Sequence, residues 1–302
     1  ATGATGATSA NRIYVTNASS NNVSVIDGST NTVIATIPVG SNAQGVGVNS
    51  STNRIYIANA SSNNVSVIDG STNTVIATIP VGAFPLGVSV NPSTNLIYVA
   101  NTNSNNVSVI SGATNTVIAT IPMAISPQRV GVNPLTNLIY VTSLLGNNVS
   151  VIDGLTNTVI TTIPVGTNPN GVSVNPLTNR IYITNTNSNN VSVINGLTNT
   201  VITTIPMTVS PERVGVNLST NLIYVTSITG NNVSIINGAT NAVIATIFVG
   251  SAPRGVKANP LTNRIYVVNV GSNNVSVIDG LTNAVIATIP VGSSPQEVDI
   301  NP

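Results

Sequence analysis

Hydrophobic and polar positions alternate along this chain in short bursts, and the bursts return on a fixed schedule. Gly87-Val88-Ser89-Val90 alternates small and β-branched residues, Leu96 to Ala100 reads Leu-Ile-Tyr-Val-Ala, Val107 to Ile110 reads Val-Ser-Val-Ile, and Val117 to Ile121 reads Val-Ile-Ala-Thr-Ile. Period-two alternation rich in Val, Ile, Thr and Tyr predicts strands, and no window offers the roughly 11 residues of helical periodicity that would compete. Between the bursts stand Asn91-Pro92-Ser93-Thr94-Asn95, Thr102-Asn103-Ser104-Asn105-Asn106 and Ser111-Gly112-Ala113-Thr114-Asn115. Asn and Ser cap such turns with their own side chains, Gly is expected to supply positive φ, and Pro removes a ladder donor.

The whole pattern repeats. Tyr14, Tyr56, Tyr98, Tyr140, Tyr182, Tyr224 and Tyr266 are all the tyrosines present, each 42 residues from the last. Four antiparallel strands in a period of about 42 residues predict a β-propeller blade. Seven periods of 42 make 294 of the 302 residues, so the expected fold is all-β: one seven-bladed β-propeller domain over 1–302. We letter the strands of each blade A to D from the axis outward. Packing of both blade faces on neighbours explains strands that are apolar on both sides. A solenoid would need distinct capping repeats, and no repeat departs in that way.

The first repeat begins at strand B (Arg12 to Thr16), preceded by Ala-Thr-Gly-Ala-Thr-Gly-Ala-Thr at 1–8, which reads as a linker. Residues 295–302, Pro-Gln-Glu-Val-Asp-Ile-Asn-Pro, fall on the same slot seven periods later and carry the apolar alternation at Val298 and Ile300. This C-terminal strand is expected to serve as strand A of the first blade, closing the ring and removing the edges that would otherwise pair with other chains.

The run Tyr14-Val15-Thr16-Asn17, with Tyr56-Ile57-Ala58-Asn59 and Tyr182-Ile183-Thr184-Asn185 as variants, resembles the YVTN family of β-propellers. The Asn-Asn-Val-Ser-Val-Ile-Asp-Gly and Ile-Pro-Val-Gly segments resemble it too, and the likeness covers nearly the full chain. Tyr140 to Ser143 and Tyr224 to Ser227 depart from it by ending in Ser. Such propellers occur in archaeal surface-layer proteins and in bacterial secreted or periplasmic proteins. The resemblance therefore implies a seven-bladed ring with a structural or binding role, extracellular or in the cell envelope. Related propellers include streptogramin lyases and sugar lactonases, whose sites use histidine or acids around the tunnel. A chain without histidine does not inherit that chemistry.

Composition narrows the function further. Charged residues are 5%, against about 25% in ordinary soluble domains, so Asn, Ser and Thr must build the polar surface. A net charge of +1 leaves no footprint for nucleic acid or an anionic membrane. No apolar run approaches the roughly 18 residues of a membrane helix, so no membrane insertion is expected. The absence of Cys and His removes thiolate sites and the usual base beside a nucleophile. A non-enzymatic, monomeric binding or structural module without a cofactor is the expectation. One alternative is a lyase or hydrolase using Glu212, Glu297 and Asp299 with a divalent metal. Another is a designed or consensus-like scaffold without a ligand.

Each of the fifteen charges can be assigned a place. Arg12, Arg54, Arg180 and Arg264 open strand B, and Asp27, Asp69, Asp153 and Asp279 close strand C. Cross-strand pairs Arg12–Asp27, Arg54–Asp69 and Arg264–Asp279 follow, each contributing roughly 0.2–1 kcal/mol. The other seven, Arg129, Glu212, Arg213, Arg254, Lys257, Glu297 and Asp299, lie in or beside strand A, hence around the tunnel. They read either as a polar ligand site at one side of the tunnel mouth or as a self-neutralising network.

Comparing the repeats with each other adds a second candidate. The A–B and C–D connectors barely change, whereas the B–C and D–A connectors vary and emerge together on one face. That face collects Phe84, Met123, Ile125, Met207 and Val209 with Leu144, Leu145, Ile228 and Val270. Divergent loops on a rigid scaffold suit a protein or glycan partner, with Phe84, Leu144, Leu145 and Ile228 as candidate contacts. Asn-Val-Ser recurs from Asn22 to Asn274, as a glycan acceptor pattern or simply the turn into strand C. Asparagines from Asn49 to Asn301 end every strand A, as an ion ring or as Asx-turn caps.

Overall fold

The computed structural model describes residues 11–302. Its 28 strands form seven antiparallel sheets of four. Six sheets follow chain order, with strands A at Ala43–Asn49, Pro85–Asn91, Pro127–Asn133, Pro169–Asn175, Pro211–Asn217 and Pro253–Asn259. In the first blade, strand A is Pro295–Asn301, paired antiparallel to Arg12–Asn17 with Ile13 opposite Ile300 and Val15 opposite Val298. Each strand A also touches the strands A of both neighbouring blades, so the ring is closed. The linker reading of 1–8 lies outside the described residues. Among those residues, no helix is long and apolar enough to cross a membrane.

The core consists of seven seams. At the first, Tyr14, Val23 and Val25 of one blade pack on Ile55, Ile57 and Ile68 of the next. At the closing seam, Tyr266, Val268 and Val277 meet Ile13, Val15 and Ile300. All seven tyrosines are 0% exposed. Burial of each aromatic ring stabilises the seam, offset in part where the hydroxyl is buried without a partner. Tyr140 Oη donates across its seam to Asn199 Oδ1 at 3.3 Å. The hydroxyls of the other six tyrosines are buried with no partner of their own. Two-sided burial stops at strand D, where pairs such as Val33 and Ile34 face outward at 38% and 45% exposure.

The turns use a different residue from the one expected. No glycine among the described residues has positive φ; asparagine takes the left-handed region at three turns of every blade, as at Asn53, Asn63 and Asn73 (φ 52°, 52° and 55°). Asn tolerates that region because its short amide bonds to nearby backbone. The glycines serve close approach instead: a Cβ on Gly70 would lie 2.1 Å from Asn53 Oδ1.

The asparagine ending each strand A does two jobs. Asn49 Oδ1 accepts from Ser51 N at 3.1 Å, an Asx-turn cap. Its Nδ2 donates across the seam to Asn95 Oδ1 at 2.8 Å, and the same bond recurs at all seven seams, from Asn91 to Asn137 round to Asn259 to Asn11 and Asn301 to Asn53. The Asn-Val-Ser runs build the B–C hairpins. Asn17 Nδ2 donates to Asn22 Oδ1 at 2.8 Å and to the buried Ser24 hydroxyl at 3.0 Å. Where Ser143 and Ser227 replace that Asn, Asn148 and Asn232 donate to Gly146 O and Gly230 O instead.

Two of the three hairpin ion pairs form, Arg12–Asp27 and Arg54–Asp69. The third does not. Arg264 reaches over the closing seam to donate to Gly28 O at 2.7 Å, while Asp279 Oδ1 accepts from Leu281 N and Thr282 N at 2.9 Å each. The cap does not exclude the pair, since Asp27 and Asp69 cap their turns through Oδ1 while Oδ2 accepts from arginine; at the third hairpin the buried Gly28 carbonyl takes the arginine instead.

An axial well with a charged floor

A bulge near the start of each strand A prepares the site. In the fourth blade, Pro127 pairs with Ser143, and the regular ladder resumes only at Val130–Val141. The Arg129 N–H, left out of the ladder, donates to Thr142 Oγ1 at 3.1 Å. Arg213 N donates likewise to Thr226 at 3.0 Å, and Glu297 N to Thr16 at 3.1 Å. These hydroxyls donate onward to the next blade's strand A, at Asn170 O, Arg254 O and Gln44 O respectively. Three buried threonines thus fix the backbone under three charged side chains.

Those charges occupy the third residue of strand A, a position reading Gly45, Gly87, Arg129, Gly171, Arg213, Gly255 and Glu297 around the ring. Each charged member follows a glycine whose missing Cβ makes room for it. A Cβ on Gly87, Gly171 or Gly255 would lie 2.7, 2.9 or 2.8 Å from the Cα of Arg129, Arg213 or Glu297. Backbones approach closely at this level, so long side chains from alternate blades converge near the axis.

All seven tunnel charges find an opposite charge within 4.0 Å. Arg213 sits between Glu212 and Glu297, with Nη1 3.1 Å from Glu212 Oε1 and Nε 3.3 Å from Glu297 Oε2. Arg254 Nε lies 3.7 Å from Glu212 Oε1, and its Nη1 donates to Gln296 Oε1 at 2.5 Å. Arg129 Nε stands 4.0 Å from Glu297 Oε2, near enough for attraction but too far for a hydrogen bond. Since Arg129 belongs to the fourth blade and Glu297 to the first, this pair spans the axis, and the charges lie across the tunnel rather than along one side. Lys257 and Asp299 form a separate pair at 2.8 Å, further along the wall, with Asp299 Oδ2 accepting from Val48 N.

The larger cluster is unbalanced. Arg129, Arg213 and Arg254 face only Glu212 and Glu297, leaving one positive charge in excess. Arg129 is 8% exposed, and its Nε and Nη1 are buried without a hydrogen-bond partner. Burial, then the nearby Arg213 charge, pushes its pKa down to about 9, so the guanidinium remains protonated at neutral pH. Asp299 pushes the Lys257 pKa upward, which keeps that ammonium protonated.

Above this floor lies a cavity of about 440 Å³. Arg129, Arg213 and Glu297 line its base, valines such as Val88, Val130 and Val172 its walls, and Pro92, Pro134 and Pro176 of the A–B turns its rim. The well therefore opens on the A–B side. On the opposite, loop-bearing face, Leu145 is 64% exposed, while Phe84, Leu144 and Ile228 are half-buried. Met123 and Met207 tuck into seams. The most exposed leucines lie instead in the near-invariant connectors, with Leu155, Leu197 and Leu281 at 84%, 83% and 85%. Attention to the divergent connectors alone passes over them, although Leu in Asn-Pro-Leu-Thr-Asn and Gly-Leu-Thr-Asn is the visible signal. Among the described residues no three acidic, His or Cys side chains gather as a metal-ion site.

No family model and no curated protein matches the chain, so the YVTN likeness rests on the quoted residues alone. Solved structures do match. Hydrazine synthase of Kuenenia stuttgartiensis is similar at a TM-score of 0.82 with 21% identity, over 89% of this chain and 92% of that one. A protein of unknown function from Desulfotomaculum acetoxidans is similar at 0.86 with 14% identity, over 96% and 99%. The dihydro-heme d1 dehydrogenase NirN, in complex with DHE, is similar at 0.72 with 13% identity, over 97% and 76%. At these identities the likeness is one of fold: a seven-bladed β-propeller built from four-stranded blades.

Proposed function

We propose that this chain is a non-catalytic binding module whose ligand enters the axial well from the A–B side. The observation carrying this reading is the well itself: about 440 Å³, walls rich in valine, charged groups gathered at its base, and one further ion pair, Lys257–Asp299, on its side. Small-molecule sites typically occupy about 300–1,000 Å³ and pair a mostly apolar lining with a few polar anchors. Catalysis finds less support. Glu212, Glu297 and Asp299, the acids free of the hairpins, are each held by a cation, and no His or Cys is present to activate a hydroxyl. A propeller rich in Asn, Ser and Thr that resembles YVTN proteins suits an extracellular or cell-envelope setting.

The test is a ligand-observed NMR screen of neutral and charged small molecules. Val174→Trp, which fills the well, should abolish the hits, and Leu145→Asp on the far face should leave them unchanged. Hits that survive Val174→Trp but vanish with Leu145→Asp would move binding to the B–C and D–A loops, where a protein or glycan partner then becomes the better reading.

A further inference from the structure

Resting on the well as the binding site, we propose that its ligand is a monoanion with an apolar body, such as a carboxylate with a hydrocarbon tail, whose head is seated on Arg129. Three features of the floor converge on this class. The cluster of Arg129, Arg213, Arg254, Glu212 and Glu297 carries one positive charge more than it neutralises. The hydrogen-bond deficit is greatest at Arg129: Arg213 hydrogen-bonds Glu297 and Glu212, Arg254 bonds Gln296 and leaves only Nε without a partner, whereas Arg129 leaves both Nε and Nη1. And Arg129 lines the base of the well rather than solvent.

A buried guanidinium without hydrogen-bond partners is costly; Nε and Nη1 are closed to water, and a planar oxyanion satisfies them in bidentate geometry once the side chain turns toward the well. One anionic head completes the charge balance; a dianion would overshoot it. Above the head the lining is mostly valine, with Val130, Val132, Val172, Val174 and Val214 among the wall residues, while Lys257 on the same wall is already paired with Asp299. The valines offer a hydrocarbon tail its desolvation energy. The backbone of Arg129 is also held in place beforehand. Thr142 bonds its N–H and Gly87 leaves space for its Cα, so only the side chain remains to be ordered on binding.

Isothermal titration of the full chain at pH 7 with octanoate, and separately with octanol, tests the assignment. Octanoate should bind at one site, at least tenfold more tightly than octanol. Arg129→Gln should weaken octanoate at least tenfold and leave octanol unchanged. Glu297→Gln, which removes the competing carboxylate, should tighten octanoate. Equal binding of octanoate and octanol to the wild-type chain would overturn the anion assignment while leaving the well in place as the binding site. So would octanoate affinity that is insensitive to Arg129→Gln or reduced by Glu297→Gln. Binding of neither probe would also overturn it, and the neutral-compound screen with Val174→Trp then decides separately whether the well reading falls. Because the comparison of two probes on the wild-type chain decides the matter alone, a variant that fails to fold costs the test nothing.

Discussion

Removing residues 295–302 takes strand A from the first blade, and its cost can be worked from the side chains removed and the partners they leave behind. Val298 and Ile300 are 3% and 6% exposed, so returning both to water forfeits about 1.5–3 kcal/mol each. Glu297 and Asp299 leave with them. Arg213 keeps only Glu212, Arg129 keeps no carboxylate, and Lys257 is left without its counter-charge. Stripping one partner from a buried pair typically costs about 3–5 kcal/mol. The seam bond from Asn301 to Asn53 disappears as well. The sum, roughly 6–11 kcal/mol, is comparable with the 5–15 kcal/mol that most folded domains possess in total. Thermal unfolding followed by circular dichroism should show a midpoint lower by roughly 10–17 °C, or no cooperative transition. If the truncated chain does not fold, the double variant Val298→Ser/Ile300→Ser gives an intermediate, measurable loss, while removing the exposed Pro302 alone should change nothing. A truncated chain melting within about 3 °C of the intact one would refute the claim that this strand holds the ring shut.

Three further outcomes follow from the packing and burial described above. Gly171→Ala would place a Cβ 2.9 Å from Arg213 Cα and 2.8 Å from Thr184 Oγ1; a loss of about 1–3 kcal/mol in denaturant unfolding is expected, and none at all would contradict the close approach described. Asn133→Ala removes the donor to Asn179 and the cap on Leu135 N, which should cost about 1–3 kcal/mol by the same measurement. At high pH, burial holds the Tyr14, Tyr98, Tyr140 and Tyr224 hydroxyls up at about 12, against 10.0 when exposed. Between those values the unfolded chain has released protons that the folded ring keeps, so stability is full below pH 10 and falls as pH rises toward 12. The slope is about 1.4 kcal/mol per pH unit for each tyrosine. Tyrosinate absorbance should therefore appear together with loss of the β-sheet signal; phenolate forming in a still-folded ring would show the hydroxyls to be accessible.

The ring is legible in the sequence because its information is periodic. Tyr14 and its six counterparts set the blade count, and Val298 with Ile300 mark the closure. The turns are legible in place but not in mechanism, since composition rules favour Gly for positive φ while Asn fills that role here. The charged residues stand out as tunnel residues, yet their pairing is hidden: Arg129 and Glu297 are 168 residues apart in the sequence and meet only because the ring brings the first and fourth blades face to face. The supporting threonines carry a faint signal. Thr16, Thr142 and Thr226 stand in the three blades whose third strand-A residue is charged, and Ala58, Ala100 and Val268 in blades with Gly, but Thr184 makes the same bonds in the blade with Gly171, so the threonine serves the bulged backbone and not the charge. The direction in which the well opens depends on side-chain length at a constriction, which no local pattern encodes.

A hoop of seven equal segments is stiff along its circumference and weak against flattening, because an oval costs little at any one joint. The guanidinium and carboxylate arms that meet over the axis from the first, fourth and sixth blades act as spokes. Squeezing the ring along a spoke must stretch or crush it, so the floor is braced straight across the axis, whereas the A–B end is braced only round its rim by the seven asparagine seam bonds.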